Sequence, residues 1–243
     1  MHKGFRAIKA ALSLLNPKTW GPFLDAYEAT HFDSAFSVHW SQGGEDVALL
    51  ATLEVAKGGS YLDIGAHHPN RFSVTRHLYQ KGWHGVNVEA NAELISIFDE
   101  LRKRDKNICA CVGSADSYSF SVFEEPGIST TDIHWREKFM SEGNRILHTI
   151  EIPGRTLRSL LDEYFPECGP DLLNIDVEGA DLDVVRSGNF GTLSSARLPR
   201  WILLETSPPL ENALETPAVK EMISIGYTPW LVLTMATLLR RPE

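Results

Sequence analysis

From Gly44 to Val112 the chain alternates amphipathic stretches with short apolar runs. Ser41 is a good N-cap for a helix from about Gly44 to Ala56, ended by Gly58-Gly59. Tyr61-Leu-Asp-Ile-Gly65 reads as a strand, Asn70 to Gln80 as a helix, and Gly85-Val-Asn-Val-Glu89 as a second strand. Asn91 to Arg104 places Leu94, Ile97, Phe98 and Leu101 on one helical face, and Asn107 to Val112 reads as a third strand. Such alternation with short connections predicts an α/β fold, a parallel sheet with helices on both faces. The pattern resumes with strands at Leu172–Asp176 and Trp201–Glu205 and a helix at Thr216–Ile225, then final strands in Trp230-Leu-Val-Leu and Leu238-Leu-Arg.

Residues 114 to 155 break the pattern. Tyr118–Phe123 and His148–Ile152 look like extra strands around a polar segment, expected to lie over the active face. The expected organisation is therefore an N-terminal helical extension over 1–40 and one domain over 41–243, carrying that insertion. In the extension, Phe5, Ile8, Leu12 and Leu15 share a helical face and Asn16-Pro17 ends it. With Lys3, Arg6 and Lys9 beside them, this helix packs on the fold or on a partner chain, or touches a membrane surface.

Charge narrows the partners. Lys and Arg number 23 against 32 Asp and Glu, a net charge of −9, which argues against nucleic acid. Three cysteines, Cys109, Cys111 and Cys168, do not make a disulfide framework and suit the cytoplasm. Cys109 and Cys111 are expected on one strand face, poorly placed to bond each other. His31, Asp33 and His39 do not give a convincing zinc spacing. The Arg102-Lys103-Arg104 run reads as a solvated helix end.

The chemistry concentrates in Tyr61-Leu-Asp-Ile-Gly-Ala-His-His-Pro69. A strand ending at Asp63-Ile-Gly65 turns at the carboxyl edge of the sheet, where ligands bind in open α/β folds. Gly65 permits close approach, and Glu89 at the end of the next strand can accept from both hydroxyls of a ribose. The dinucleotide fingerprint needs two further glycines, yet Ala66-His67-His68-Pro69-Asn70 follows. One glycine and a strand-terminal acid suit a cofactor without phosphate, with S-adenosylmethionine (SAM) the leading candidate. Its positive ammonium and sulfonium are favoured by Asp63 and the other site carboxylates.

A second apolar run, Leu172-Leu-Asn-Ile-Asp-Val-Glu-Gly179, ends in two acids. Such a run is poor core unless the acids face a site. The prolines of the amine-methylating Asn-Pro-Pro-Tyr pattern are absent, which favours an oxygen acceptor. A sugar hydroxyl needs a base as the methyl moves, and Asp176 or Glu178 can serve directly or hold a divalent cation such as Mg. The bland alternatives are that Asp176 binds the SAM ammonium and that Glu178 caps the next helix.

Taken together, Ser41-Gln-Gly-Gly-Glu-Asp-Val47, Tyr61–Asn70, Asn87-Val-Glu-Ala-Asn91 and Leu172–Gly179 occur in the order of a known family. The chain resembles the FkbM-type SAM-dependent methyltransferases over about residues 38 to 207. The resemblance implies a class I fold with a mostly parallel seven-stranded sheet and one antiparallel strand near the C-terminus. It implies O-methylation, often of sugars in glycolipids, antibiotics or surface glycans. It places Asp63, Gly65 and Glu89 at the cofactor, with Gln42 and Asp46 near the same pocket; Ala90 stands where the family usually has proline. Length and pattern are also similar to rhizobial nodulation enzymes that methylate the 2-hydroxyl of fucose on lipo-chitooligosaccharides.

The remaining expectations concern the acceptor, a glycan or glycolipid. Ala66 belongs with the cofactor and Asn70 with the acceptor; His67 and His68 either touch cofactor and acceptor respectively or make structural hydrogen bonds. From the insertion, Thr130 can bind a sugar or form turn bonds, and Trp135 can stack on a sugar ring. Two other functions fit less well. A nicotinamide-dependent sugar oxidoreductase lacks its glycines, and a non-catalytic SAM or nucleoside sensor has little need of paired acids.

Overall fold

The computed structural model describes residues 39–206 and 210–242. The expected helix over residues 1–15, with His31 and Asp33, lies outside the described residues. The strands are β1 (Ser60–Ile64), β2 (His84–Glu89), β3 (Lys106–Cys109), β4 (Cys111–Val112), β5 (Ser117–Phe123), β6 (Ile146–Arg155), β7 (Leu172–Ile175), β8 (Trp201–Glu205), β9 (Thr228–Val232) and β10 (Ala236–Arg240). The α-helices are α1 (Glu45–Thr52), α2 (Arg76–Gln80), α3 (Ala92–Leu101), α4 (Ile133–Ser141), α5 (Leu157–Tyr164), α6 (Asp181–Ser187) and α7 (Pro217–Ser224).

Seven strands form one sheet in the order β3-β2-β1-β7-β8-β10-β9. Strand β10 is antiparallel to β8 and β9, and the other pairs are parallel, as expected. Strand order reverses between β1 and β7, which opens a crevice at their carboxyl ends.

The period of two explains the two cores. Leu62, Ile64, Leu173, Ile175, Ile202 and Leu204 join the buried cluster that contains residues of α5, α6 and α7. Tyr61, Leu172, Trp201 and Leu203 join a second cluster with Leu49 of α1 and Leu78 of α2. Each fully buried aliphatic side chain contributes roughly 1.5–3 kcal/mol. These cores hold the carboxyl edge of the sheet rigid.

Several expected elements differ. The helix expected over Asn70–Gln80 is only α2. Upstream of it the backbone cannot be helical, because His67 and Phe72 have φ of 52° and 56°. The first helix stops at Thr52, and a 3₁₀ turn covers Val55–Lys57. Its N-cap is Gly44, though Ser41 Oγ still accepts from the Gly44 and Asp46 N–H groups. The third strand splits at Ala110: β3 stays in the main sheet while β4 pairs with β6. Cys109 is therefore exposed and Cys111 buried, and both are free thiols. Arg102 is not solvated but 2% exposed. The insertion is built on the β5–β6 antiparallel pair, with β4 beside β6 and α4 between β5 and β6. The helix α5 was not foreseen; Thr156 caps it by accepting from the Ser159 N–H.

Candidate active site

The turn after β1 sets the floor. Gly65 has φ of 77°, and a Cβ there would overlap the Asp176 carbonyl oxygen. Gly65 and Ala66 N–H donate to the Val88 carbonyl at 2.9 and 3.1 Å, and Asp176 N–H donates to the Ile64 carbonyl at 3.0 Å. The turn and the acid-bearing loop after β7 are thus stitched together, with glycine required by both φ and space.

The two strand acids are held by different means. Asp63 accepts from the Asn174 amide at 2.9 Å and from Thr75 Oγ1 at 2.8 Å. Burial raises its pKa despite those donors. Glu89 accepts from the His67 N–H at 3.0 Å and the Asn91 N–H at 2.8 Å, one on each oxygen. Each oxygen keeps a lone pair for a hydroxyl. Burial pushes Glu89 up to about 7.

These residues border an open cleft of about 1260 Å³, counting its mouth. Beside Glu89, Ala90, Ala110 and Val112 make its wall apolar. Opposite stand Asp176, Glu178 and Glu205, with an oxygen of each within 4.8 Å of the others. Asp176 is an exposed residue that opens onto the cleft, where the cleft walls still strip water from its carboxyl. Burial, then the charges of Glu205 and Glu178, hold it well above the carboxylate range. Burial and Asp181 push Glu178 up to about 7. Burial, then Asp181 and Glu178, push Glu205 to about 8. The Lys138 ammonium pulls both glutamates part of the way back.

Gln42, Asp63, Gly65, Ala66, His67, Glu89, Thr130, Asp176 and Glu178 line the cleft, so the structure brings most expected site residues together. It places four elsewhere. The Asp46 carboxylate accepts from the Trp40 N–H and Ser41 Oγ, each at 2.7 Å, and is buried. Glu45, its neighbour, lines the cleft instead and has one buried oxygen without a partner. His68 Nδ1 accepts from the Asn70 and Arg71 N–H groups, so His68 and the buried Asn70 organise the loop. Trp135 packs against Gly179, with Lys138 Nζ 3.9 Å from its ring centre. Glu205 was missed, although Trp201-Ile-Leu-Leu-Glu205 repeats the apolar-run-then-acid signal of Leu172–Asp176.

The FkbM methyltransferase domain matches residues 63–225, more than half of the chain. The chain belongs to the FkbM methyltransferase family. That family is one of SAM-dependent methyltransferases. The FkbM match begins at Asp63 and so takes in Glu89, Asp176, Glu178 and Glu205, while Gln42 and Glu45 precede it.

Among solved structures, the FkbM methyltransferase of Methylobacillus flagellatus KT is similar at 12% identity and a TM-score of 0.46, over 88% of this chain and 47% of its own. The chain thus spans about half the length of that protein. The TehB-like SAM-dependent methyltransferase of Corynebacterium glutamicum is similar at 10% identity and a TM-score of 0.41, over 93% of this chain and 100% of its own. The precorrin-6y C5,15-methyltransferase of Geobacter metallireducens gives 14% and 0.43, over 82% and 87%. No curated protein sequence matches the chain significantly.

Among the described residues, no helix is long and apolar enough to cross a membrane.

Proposed function

We propose that the cleft binds SAM and that the chain transfers its methyl group to a sugar hydroxyl of a glycan or glycolipid. One observation carries the cofactor half of this reading. Six carboxylates (Glu45, Asp63, Glu89, Asp176, Glu178 and Glu205) line the cleft, and no Lys or Arg among the described residues does. Burial and crowding hold several of these acids partly protonated in the empty cleft, so a bound phosphate-free cation is favoured as it draws them into the charged form, whereas a pyrophosphate gains nothing from them. Glu89 has the free lone pairs that a ribose diol needs. Bound SAM supplies an electrophilic methyl group.

The chain's own residues do the rest. Gly65 lets the cofactor approach the backbone, and the Asp176 loop stitched to that turn sets the acceptor side next to it. With SAM bound, this side of the cleft would have to hold a hydroxyl oxygen within about 3–3.5 Å of the methyl carbon. As the new C–O bond forms, Asp176 or Glu178 takes the hydroxyl proton. A base whose pKa lies near neutrality suits this step, and Glu178 has been raised to about 7. Ser129 and Thr131 line the insertion side of the cleft, where they limit water and can meet sugar hydroxyls.

A second reading has its own observation. Glu205 joins Asp176 and Glu178 within 4.8 Å, a set of oxygens that suits Mg. In that case the carboxylates bind the cation and the acceptor hydroxyl is acidified by it.

The acceptor we favour is fucose at its 2-hydroxyl on a lipo-chitooligosaccharide, the narrowest substrate that the sequence resemblance suggests. A lipid-bearing acceptor gives the segment over 1–15 a role at the cytoplasmic membrane surface. The test is calorimetric titration of the full chain with SAM and with its demethylated product, with and without Mg, beside an NADH fluorescence titration. Micromolar SAM binding supports the reading and leads to an acceptor screen that starts with fucosylated oligosaccharides. NADH binding without SAM binding overturns it. A Mg-dependent signal selects the metal reading.

A further inference from the structure

Glu178 has a φ of 51°, a left-handed backbone that few residues with a Cβ adopt without outside support. The support comes from the insertion. Thr130 Oγ1 donates to the Glu178 carbonyl at 2.9 Å and accepts from the Asp132 N–H at 2.9 Å. Thr130 is itself 1% exposed and bridges Ser121 of β5 through both backbone groups, at 3.0 and 3.2 Å. Asp132 then caps α4 by accepting from the Trp135 N–H at 2.9 Å. The Trp135 indole closes the chain of contacts. It lies so near Gly179 that a Cβ there would overlap the ring, and Gly179 has φ of 99°.

We propose that Thr130 and Trp135 are positioning residues: from the insertion they hold the Glu178–Gly179 backbone left-handed and so aim the Glu178 carboxyl into the cleft. This rests on the proposed function only in giving that carboxyl work to do. Thr130 uses its hydroxyl hydrogen on Glu178, and Trp135 uses its ring on Gly179. The insertion then does more than cover the cleft, since without it the loop after β7 lacks the contacts that select its conformation.

The groups that face the Glu178 carboxyl are Asp181 of α6, Asp176 and Glu205 beside it, and Lys138 of α4. Freed from the clamp, the side chain would leave these neighbours for water. The experiment is carboxyl-carbon NMR of the full chain labelled at glutamate, titrated without ligand, with the Glu178 signal assigned by Glu178→Gln. The wild type should titrate near neutrality. Thr130→Val keeps the shape and loses the donor. It should lower the Glu178 midpoint by about one pH unit or more, toward the ordinary glutamate range. Thr130→Ser should restore it, and Trp135→Ala should lower it as Thr130→Val does.

An unchanged midpoint in folded Thr130→Val or Trp135→Ala overturns the proposal, as does a Thr130→Ser chain that behaves like the valine variant. If Thr130→Val does not fold, Trp135→Ala carries the test with the same two outcomes. SAM titration of the same samples separates the two ideas. A chain that fails to bind SAM removes the proposed function and leaves the titration readable. An unchanged titration in a SAM-binding chain removes the clamp alone.

Discussion

Asn174 donates its amide to Asp63 Oδ1 at 2.9 Å, across a register in which the two residues lie side by side on β7 and β1. The pair is 2% and 4% exposed, on the sheet face otherwise packed by Tyr61 and Leu172, so only the cleft side offers water in place of the donor. Asn174→Leu should cost about 1–3 kcal/mol, the penalty for a buried carboxyl oxygen left without its partner. SAM affinity should fall too, because Thr75 alone would then orient Asp63. Urea denaturation and calorimetry on the same variant check both halves. An unchanged denaturation midpoint would show that the bond carries no net stability.

The raised carboxyls make the protein weaker in alkali. Glu89 and Glu178 stand at about 7 and Glu205 at about 8, all above the ordinary 4.5. Their folded state binds more protons than the unfolded chain, so the stability they contribute is full below 4.5 and is lost as pH rises through 7 to 8. Burial depresses His67 and His68 from 6.5 to about 4, which acts oppositely but only as pH falls below 6.5. Between pH 6.5 and 8.5 the carboxyls therefore act alone. The melting temperature should fall across that window by several degrees, at roughly 2–4 °C for each kcal/mol. Added SAM should recover more of the loss at pH 8 than at pH 6.5. A flat melting curve against pH would contradict this.

Glu205→Gln should stabilise the chain. The amide imitates the protonated acid and removes one charge from a crowded group. The gain should be on the order of 1 kcal/mol and larger at pH 9 than at pH 6, because burial and its acidic neighbours push the acid up to about 8. Turnover should fall in the same variant, a stability–activity trade of the usual kind. Melting at the two pH values measures the first effect, and methyl transfer to the acceptor found in the screen measures the second. Equal gains at both pH values would mean that Glu205 is not repelled by its neighbours.

The strands were legible because apolar runs of four or five residues, each closed by an acid or a glycine, have few other uses. The same signal stood at Trp201–Glu205 and would have found the third acid of the cluster. Other features depend on contacts that no local pattern encodes. Asp46 and Glu45 are adjacent acids at the start of one helix, and only the rotation of α1 against the sheet decides that Glu45 faces the cleft. Trp135 meets Gly179 across more than forty residues of chain. The helix expected from Asn70 failed because His68 Nδ1 gathers the Asn70 and Arg71 N–H groups into a turn.

That turn depends on the residue most misjudged by composition. Arg102 looks like one cation in a basic run, yet its guanidinium donates to the Pro69 carbonyl at 2.9 Å, Ser73 Oγ at 3.1 Å and the Tyr61 hydroxyl at 3.2 Å. Asp105 lies 3.9 Å away as its counter-charge. The loop from Ala66 to Thr75 is thus wrapped on one buried fork. Arg102→Met should cost about 3–5 kcal/mol by leaving Asp105 buried without its cation. Arg102→Lys keeps the charge but cannot reach every acceptor, so it should fall between the two. SAM affinity should drop in the same order, although Arg102 does not line the cleft, because Ala66 and His67 ride on this loop. Denaturation paired with SAM titration of both variants decides it. Lost stability with unaltered SAM affinity would mean that the cofactor turn is held by Gly65 and β1 alone.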